Sequence, residues 1–186
     1  RYRTTDSDPR SEVQRLVLHA GDQERASRRG AERGRIIAES VNSARDLVNL
    51  SPDEKSAVQL SKLIERSAKK HGYSASVWDR SLSKEPPTFT VLEWRPENPV
   101  NERPVVLVGK GVVFDTGGLS LKPTKGSMDH MKADMAGAAA VIGAMEAIVR
   151  LDMPLYVVAF IPATDNRPGE NAYVPGDVVR MHSGMT

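Results

Sequence analysis

Apolar residues along this chain change their spacing several times, and each change marks an element. From Ile36 the spacing is helical: Ile36, Ile37, Val41, Ala44, Leu47 and Val48 recur at intervals of three and four until Ser51-Pro52 stops the pattern. A second helical stretch carries Ala57, Leu60, Ile64 and Ala68 on one face together with Leu63, and Gly72 stands where a helix C-terminus is expected. Beyond Gly72 the period drops to two. Ser74 to Trp78 and Thr88 to Trp94 alternate polar and apolar residues like half-buried strands. Val105 to Val108 is continuously apolar and β-branched, the composition of a central strand covered on both faces in a parallel sheet. After a glycine-dense stretch from Gly109 to Gly126, helical spacing returns from Ala138 to Val149, with Val141, Met145, Ile148 and Val149 on the apolar side. Pro154 to Ile161 predicts another buried strand.

Strand, glycine-rich loop, helix and strand make a βαβ unit. The predicted fold class is therefore α/β, with a mixed, largely parallel sheet flanked by helices. Residues 1–35 are rich in Arg, Asp, Ser and Gly and hold one short apolar run, Leu16-Val17-Leu18, of strand-like composition. That segment reads as an edge or linker piece, and residues 36–186 as the domain proper.

Composition narrows the chemistry. A chain of 186 residues, 39% hydrophobic and 27% charged, fits one globular domain with a real core and excludes disordered and collagen-like readings. Lys plus Arg number 26 against 24 Asp plus Glu, so the net charge of +2 makes no demand for nucleic acid. Having no cysteine, the chain lacks disulfides, thiol nucleophiles, thiolate zinc sites and iron–sulfur ligation. No run of about 18 apolar residues is present to span a bilayer. Arg1 to Arg10 is polar and charged, without the apolar centre of a secretory signal, so the expected compartment is the cytoplasm.

Reactive groups of an open α/β sheet collect at the carboxyl ends of its strands. That rule points at Gly109 to Pro123, where Lys110, Asp115 and Lys122 hang on a glycine-rich loop, and at Asp134, just before the small residues Ala136-Gly137-Ala138. Four readings compete. A phosphate loop fails on spacing, because Lys110 is followed by Gly111 where Walker A requires Ser or Thr. A mononuclear zinc site would use His130 and Asp134, four residues apart on one helix face. The plainest alternative makes Lys110 and Lys122 solvated loop residues and Asp115 a turn former beside Gly117-Gly118. The fourth is a carboxylate-rich metal centre.

The whole pattern favours the fourth. Lys110-Gly111-Val112-Val113-Phe114-Asp115-Thr116-Gly117-Gly118, Ser120-Leu121-Lys122-Pro123 and Met131-Lys132-Ala133-Asp134-Met135-Ala136-Gly137 together resemble the cytosolic leucyl aminopeptidases, a family of two-metal peptidases. The resemblance extends through Ala44 to Asn49, Pro86 to Phe89, Ile161 to Asn166 and Pro175 to Val178. It implies Lys110, Asp115 and Asp134 as metal ligands, with Asp115 bridging two divalent ions, Mn²⁺ or Zn²⁺. A lysine can coordinate only as a neutral amine, so the family reading expects Lys110 at a buried strand end, where scarce solvent lowers its pKa. It implies Lys122 as the catalytic residue, protonated and facing the oxyanion that forms when activated water attacks a peptide carbonyl. Peptides are the implied substrates, with N-terminal leucine-like residues released and a hexamer as the assembly.

Two departures from the family pattern stand out. The expected segment Asn-Thr-Asp-Ala-Glu-Gly-Arg, which supplies two further carboxylate ligands and an arginine that binds bicarbonate or otherwise supports the base, does not occur before Thr186. A glycine-rich segment expected between Leu82 and Ser83 is missing as well. The chain therefore reads as part of a larger enzyme, and these residues alone are expected to be inactive. The rival readings are a non-catalytic fold relative with a regulatory or DNA-binding role, and an inactive fragment.

Overall fold

The computed structural model describes residues 15–79, 86–169 and 171–185. The Leu82–Ser83 junction and the first 14 residues lie outside that range. Helix α1 spans Glu24–Asn49 and so begins well before Ile36. Its first half is carried by charge: Glu24 pairs with Arg28, and Arg35 pairs with both Glu32 and Glu39, at the i,i+3 and i,i+4 spacings where side chains meet on a helix. Leu16, Val17 and Leu18 form no strand and are exposed.

Helix α2, Ala57–His71, starts in a capping box between Ser56 and Gln59 and ends at Gly72, whose φ of 87° is the left-handed conformation that glycine adopts freely. It buries Leu60, Ile64 and Ala68, as its spacing predicts. Helix α3 runs from Ala136 to Arg150. Helix α1 crosses it through small residues, for a Cβ on Gly143 would lie 2.8 Å from the Ser40 carbonyl oxygen and 3.1 Å from the Ala44 Cβ. This crossing decides which side of α1 faces inward: Ile36 and Ser40 are buried, whereas Ile37 and Val41, expected on the apolar face, are exposed.

The five strands are β1 Ser74–Asp79, β2 Thr88–Trp94, β3 Val105–Val108, β4 Gly111–Asp115 and β5 Val157–Asn166. They form one mixed sheet. Strand β2 pairs antiparallel with β1 and with β5, while β3 and β4 run parallel to β5 along its other edge. Strand β4 starts in the register of β3, since Val108 lies opposite Phe160 and Gly111 opposite Ala163, and the register then slips by one residue between Val112 and Asp115. The break between them falls opposite Pro162. The Gly109 N–H donates to the Phe160 carbonyl at 2.9 Å, and the next bond of a parallel ladder would come back from the N–H of residue 162, which proline lacks. Strand β5 continues through Pro162 to Asn166, beyond the end expected at Ile161.

The helices cover one face of the sheet. Leu60, Ile64, Leu92, Ile142, Met145 and Ile161 make the centre of that core, and a second, smaller cluster joins Phe114, Met128 and Val174. Contrary to the expectation of a central strand covered on both sides, Val105, Val106 and Val108 are exposed. Strand β3 ends the pairing order among the described residues, and only Leu107 packs against the core. An apolar run on both sides of a strand reports that either face suits burial, not which segment covers it.

Two glycines give opposite tests of the helical layer. Gly143→Ala should destabilise the full-length protein by about 1–3 kcal/mol through overpacking. Gly30→Ala, whose new Cβ meets nothing within 4 Å on exposed α1, should stabilise it by about 0.4–1 kcal/mol. Urea unfolding of both variants beside the parent measures the pair; equal shifts would contradict the close α1–α3 crossing.

Candidate metal centre

Two stretches of backbone touch where β3 ends. A Cβ on Gly109 would fall 2.7 Å from the Ala138 Cα and 2.9 Å from the Gly137 carbonyl oxygen, and one on Gly137 would lie 3.1 Å from the Lys110 nitrogen. The Ala138 N–H donates to the Lys110 carbonyl at 2.9 Å. Only small residues permit this approach. It fixes the first turn of α3 against Lys110, and with it Asp134, whose Oδ1 lies 2.9 Å from the Lys110 Nζ.

Asp115 ends β4 opposite Asn166, the last residue of β5. Its carboxylate is held from three sides: Lys122 Nζ is 2.5 Å from Oδ2, Asn166 Nδ2 donates to Oδ1 at 2.7 Å, and the Gly117 N–H donates to Oδ1 at 2.9 Å. The Lys122 ammonium, with these other donors, holds the carboxyl below its usual value of 3.8 against the opposing effect of burial. The loop that returns Lys122 to Asp115 turns through Gly117 and Gly118 at φ values of 92° and 65°. It closes with the Lys122 N–H donating to the Thr116 carbonyl at 2.9 Å. Lys122 Nζ also lies 3.1 Å from the Met131 Sδ.

Asp134 follows a 3₁₀ segment, Met128–Ala133. Met128 anchors the start of this segment in the cluster with Phe114 and Val174, and fully buried Met135 anchors the chain just beyond Asp134 in the main core. The Asp134 N–H donates to the Met131 carbonyl at 3.1 Å. Its Oδ2 is buried with no hydrogen-bond partner among the described residues. Such an atom is costly unless a cation shares it, and an aspartate carboxylate is a ligand type that suits a hard or borderline divalent ion.

Of the residues singled out from sequence, the structure makes two pairs, Lys110 with Asp134 and Lys122 with Asp115, linked through Met131. No cluster of three or more His, Cys, Asp and Glu side chains suited to an ion occurs among the described residues. His130 is no partner of Asp134 in a helical pair: the backbone there is 3₁₀, and His130 points to solvent, 3.6 Å from Asp129. Lys110 is not at a buried strand end, since its side chain is 58% exposed beside the open edge of β3. Asn166 has no signal in sequence spacing beyond its place in the segment Ile161 to Asn166; its register opposite Asp115 at the adjoining strand end gives it a partner.

These carboxylates and amines gather where the strands of the sheet end, the usual place for the reactive groups of an α/β fold. The chain belongs to the cytosol aminopeptidase family, whose catalytic-domain model matches residues 39–186. The probable cytosol aminopeptidase of Chloroherpeton thalassium is 43% identical across 99% of this chain, which spans 39% of that relative. Among solved structures, the bottromycin maturation enzyme BotP in complex with Mn is similar with a TM-score of 0.70 and 38% identity, over 84% of this chain and 37% of that one. Leucyl aminopeptidase from Trypanosoma brucei in complex with actinonin gives 0.69 and 30%, over 82% and 32%. The chain thus spans well under half the length of these relatives. No helix among the described residues is long and apolar enough to cross a membrane.

Replacing Lys122 by Met should move the Asp115 carboxyl up toward its ordinary value in the metal-free full-length protein, read by carbon NMR titration. The sign for stability follows from the depressed folded-state value. The pair stabilises the fold above about pH 4, by at most about 1 kcal/mol for a partly solvated pair, and that contribution is lost as acid protonates Asp115. An unchanged Asp115 titration in Lys122→Met would disprove the pairing.

Proposed function

We propose that the full-length protein is a metal-dependent aminopeptidase of the cytoplasm that releases N-terminal residues, leucine-like ones preferred, from peptides. The observation that carries this reading is the buried Oδ2 of Asp134, which has no hydrogen-bond partner among the described residues and lies beside Lys110, in a chain of the cytosol aminopeptidase family. Lys110, Asp115 and Asp134 would hold divalent ions, Mn²⁺ or Zn²⁺, with further ligands supplied by the rest of the protein. When bound, such ions polarise the peptide carbonyl and acidify water.

The remaining work falls to this chain's own residues. Asn166 and the Gly117 N–H keep Asp115 oriented from its Oδ1 side, leaving Oδ2 to a cation. Lys122, on a loop closed by its own backbone bond to Thr116, would present positive charge to the oxyanion of the attacked carbonyl. A hexameric assembly and a bicarbonate-assisted base belong to the same proposal and rest on family resemblance.

The two lysines separate in the test. In the full-length enzyme Lys122→Ala should lower kcat by roughly a hundredfold to a thousandfold, about 2.7–4 kcal/mol, at near-normal metal content. Lys110→Ala should instead lose metal. Hydrolysis of a leucyl amide in excess Mn²⁺ or Zn²⁺, with metal stoichiometry measured alongside, decides. Equal metal loss in both variants rejects the roles, and absence of turnover in the parent rejects the aminopeptidase.

A further inference from the structure

We infer that Lys55 is a positioning residue for the Asp134 carboxylate, tying the last turn of α1 to the backbone on both sides of Asp134; the inference rests on the metal-site reading above. Lys55 lies on a short connection far from Asp134 in sequence, and its side chain is fully buried. Its Nζ donates to the Val48 carbonyl at 2.8 Å and to the Lys132 carbonyl at 2.7 Å, with longer contacts to the Leu47 carbonyl at 3.5 Å and the Met135 Sδ at 3.7 Å.

These partners have a clear geometry. Leu47 and Val48 belong to the end of α1, where carbonyls have no partner within the helix and carry its negative pole. Lys132 and Met135 flank Asp134 two residues before and one residue after. One ammonium therefore joins the C-terminus of a 26-residue helix to both sides of a metal-ligand candidate.

A buried ammonium usually sits on a carboxylate. Here, among the described residues, its hydrogen-bond partners are main-chain carbonyls and a thioether. Burial, with the nearby Lys132 charge, pushes its pKa down to about 8, so this arrangement costs stability. An apolar side chain of the same length would avoid that cost but leave the Val48 and Lys132 carbonyls unpaired. The fold therefore spends a buried charge where the backbone about Asp134 must be held. The other end of the same segment is held by the packing of Met128 and by the Met128 N–H donating to the Pro123 carbonyl at 3.0 Å.

The test uses the full-length protein and three variants: Lys55→Met, Lys55→Gln, which keeps a shorter donor, and Leu60→Ala, a core truncation that touches neither Lys55 nor Asp134 in the contacts described. Mn²⁺ affinity by calorimetry, unfolding midpoint, and kcat and KM for a leucyl amide are measured for each. Expected is a Mn²⁺ dissociation constant raised at least tenfold in Lys55→Met, with kcat falling more than KM rises. Lys55→Gln should be intermediate, and Leu60→Ala should lose stability with near-parental Mn²⁺ affinity. Parental affinity in Lys55→Met overturns the inference. So does metal loss that merely tracks the unfolding midpoint across all three variants, or failure of both Lys55 variants to fold, either of which makes the residue structural. A parent that binds no Mn²⁺ refutes the underlying metal reading before any variant is compared.

Discussion

The arrangement depends on one steric constraint, the direct contact of two backbones at Gly109-Lys110 and Gly137-Ala138. With a Cβ on Gly109 only 2.7 Å from the Ala138 Cα, no side chain can stand between strand and helix, and the bond from the Ala138 N–H to the Lys110 carbonyl closes the gap. Helix α3 is thereby set at a fixed height above the sheet. Asp134 precedes the helix by two residues, so its distance from Lys110 follows from this contact and not from a flexible loop. Alanine and glycine at the start of α3 are poor core-fillers, and their use here is explained by the approach they allow.

Pro162 acts on the same place from the other side. By removing one donor from the ladder of β5 it separates β3 from β4 without shifting the register across the gap. Lys110 occupies the gap. An uninterrupted strand would alternate its side chains rigidly between the two faces; the interruption gives Lys110 room to turn toward Asp134 while β4 resumes and carries Asp115 to the sheet end beside Asn166. Proline in the strand and glycines in its neighbour thus serve one local geometry.

Much of this was legible beforehand because it depends on local spacing. The apolar face of α2, its stop at Gly72, and the helical stretch from Ala138 to Val149 within α3 all follow from periodicity and capping, and the lysines and aspartates were visible as an ordered motif. What escaped the sequence depends on tertiary contacts. The inward face of α1 is chosen by the smallness of Ser40, Ala44 and Gly143, so the more apolar Ile37 and Val41 were misplaced. The exposure of β3 could not be read from valines that suit either face. Asn166 and Lys55 act through register and a long-range bond respectively, and neither leaves a signature in spacing.

The paired lysines also bear on how the site works under the proposed reading. Each aspartate already has a counter-charge: Lys110 faces Asp134 and Lys122 faces Asp115. Were a divalent ion to bind Asp115, it and the Lys122 ammonium, 2.5 Å from Oδ2, would share one carboxylate and repel each other, while Asn166 and the Gly117 N–H would still hold the Oδ1 side. The same ammonium sits on a loop whose backbone closes at Thr116, so its charge is placed by the fold and not by a free chain end. Under the proposed reading that fixed charge is what would face a developing oxyanion.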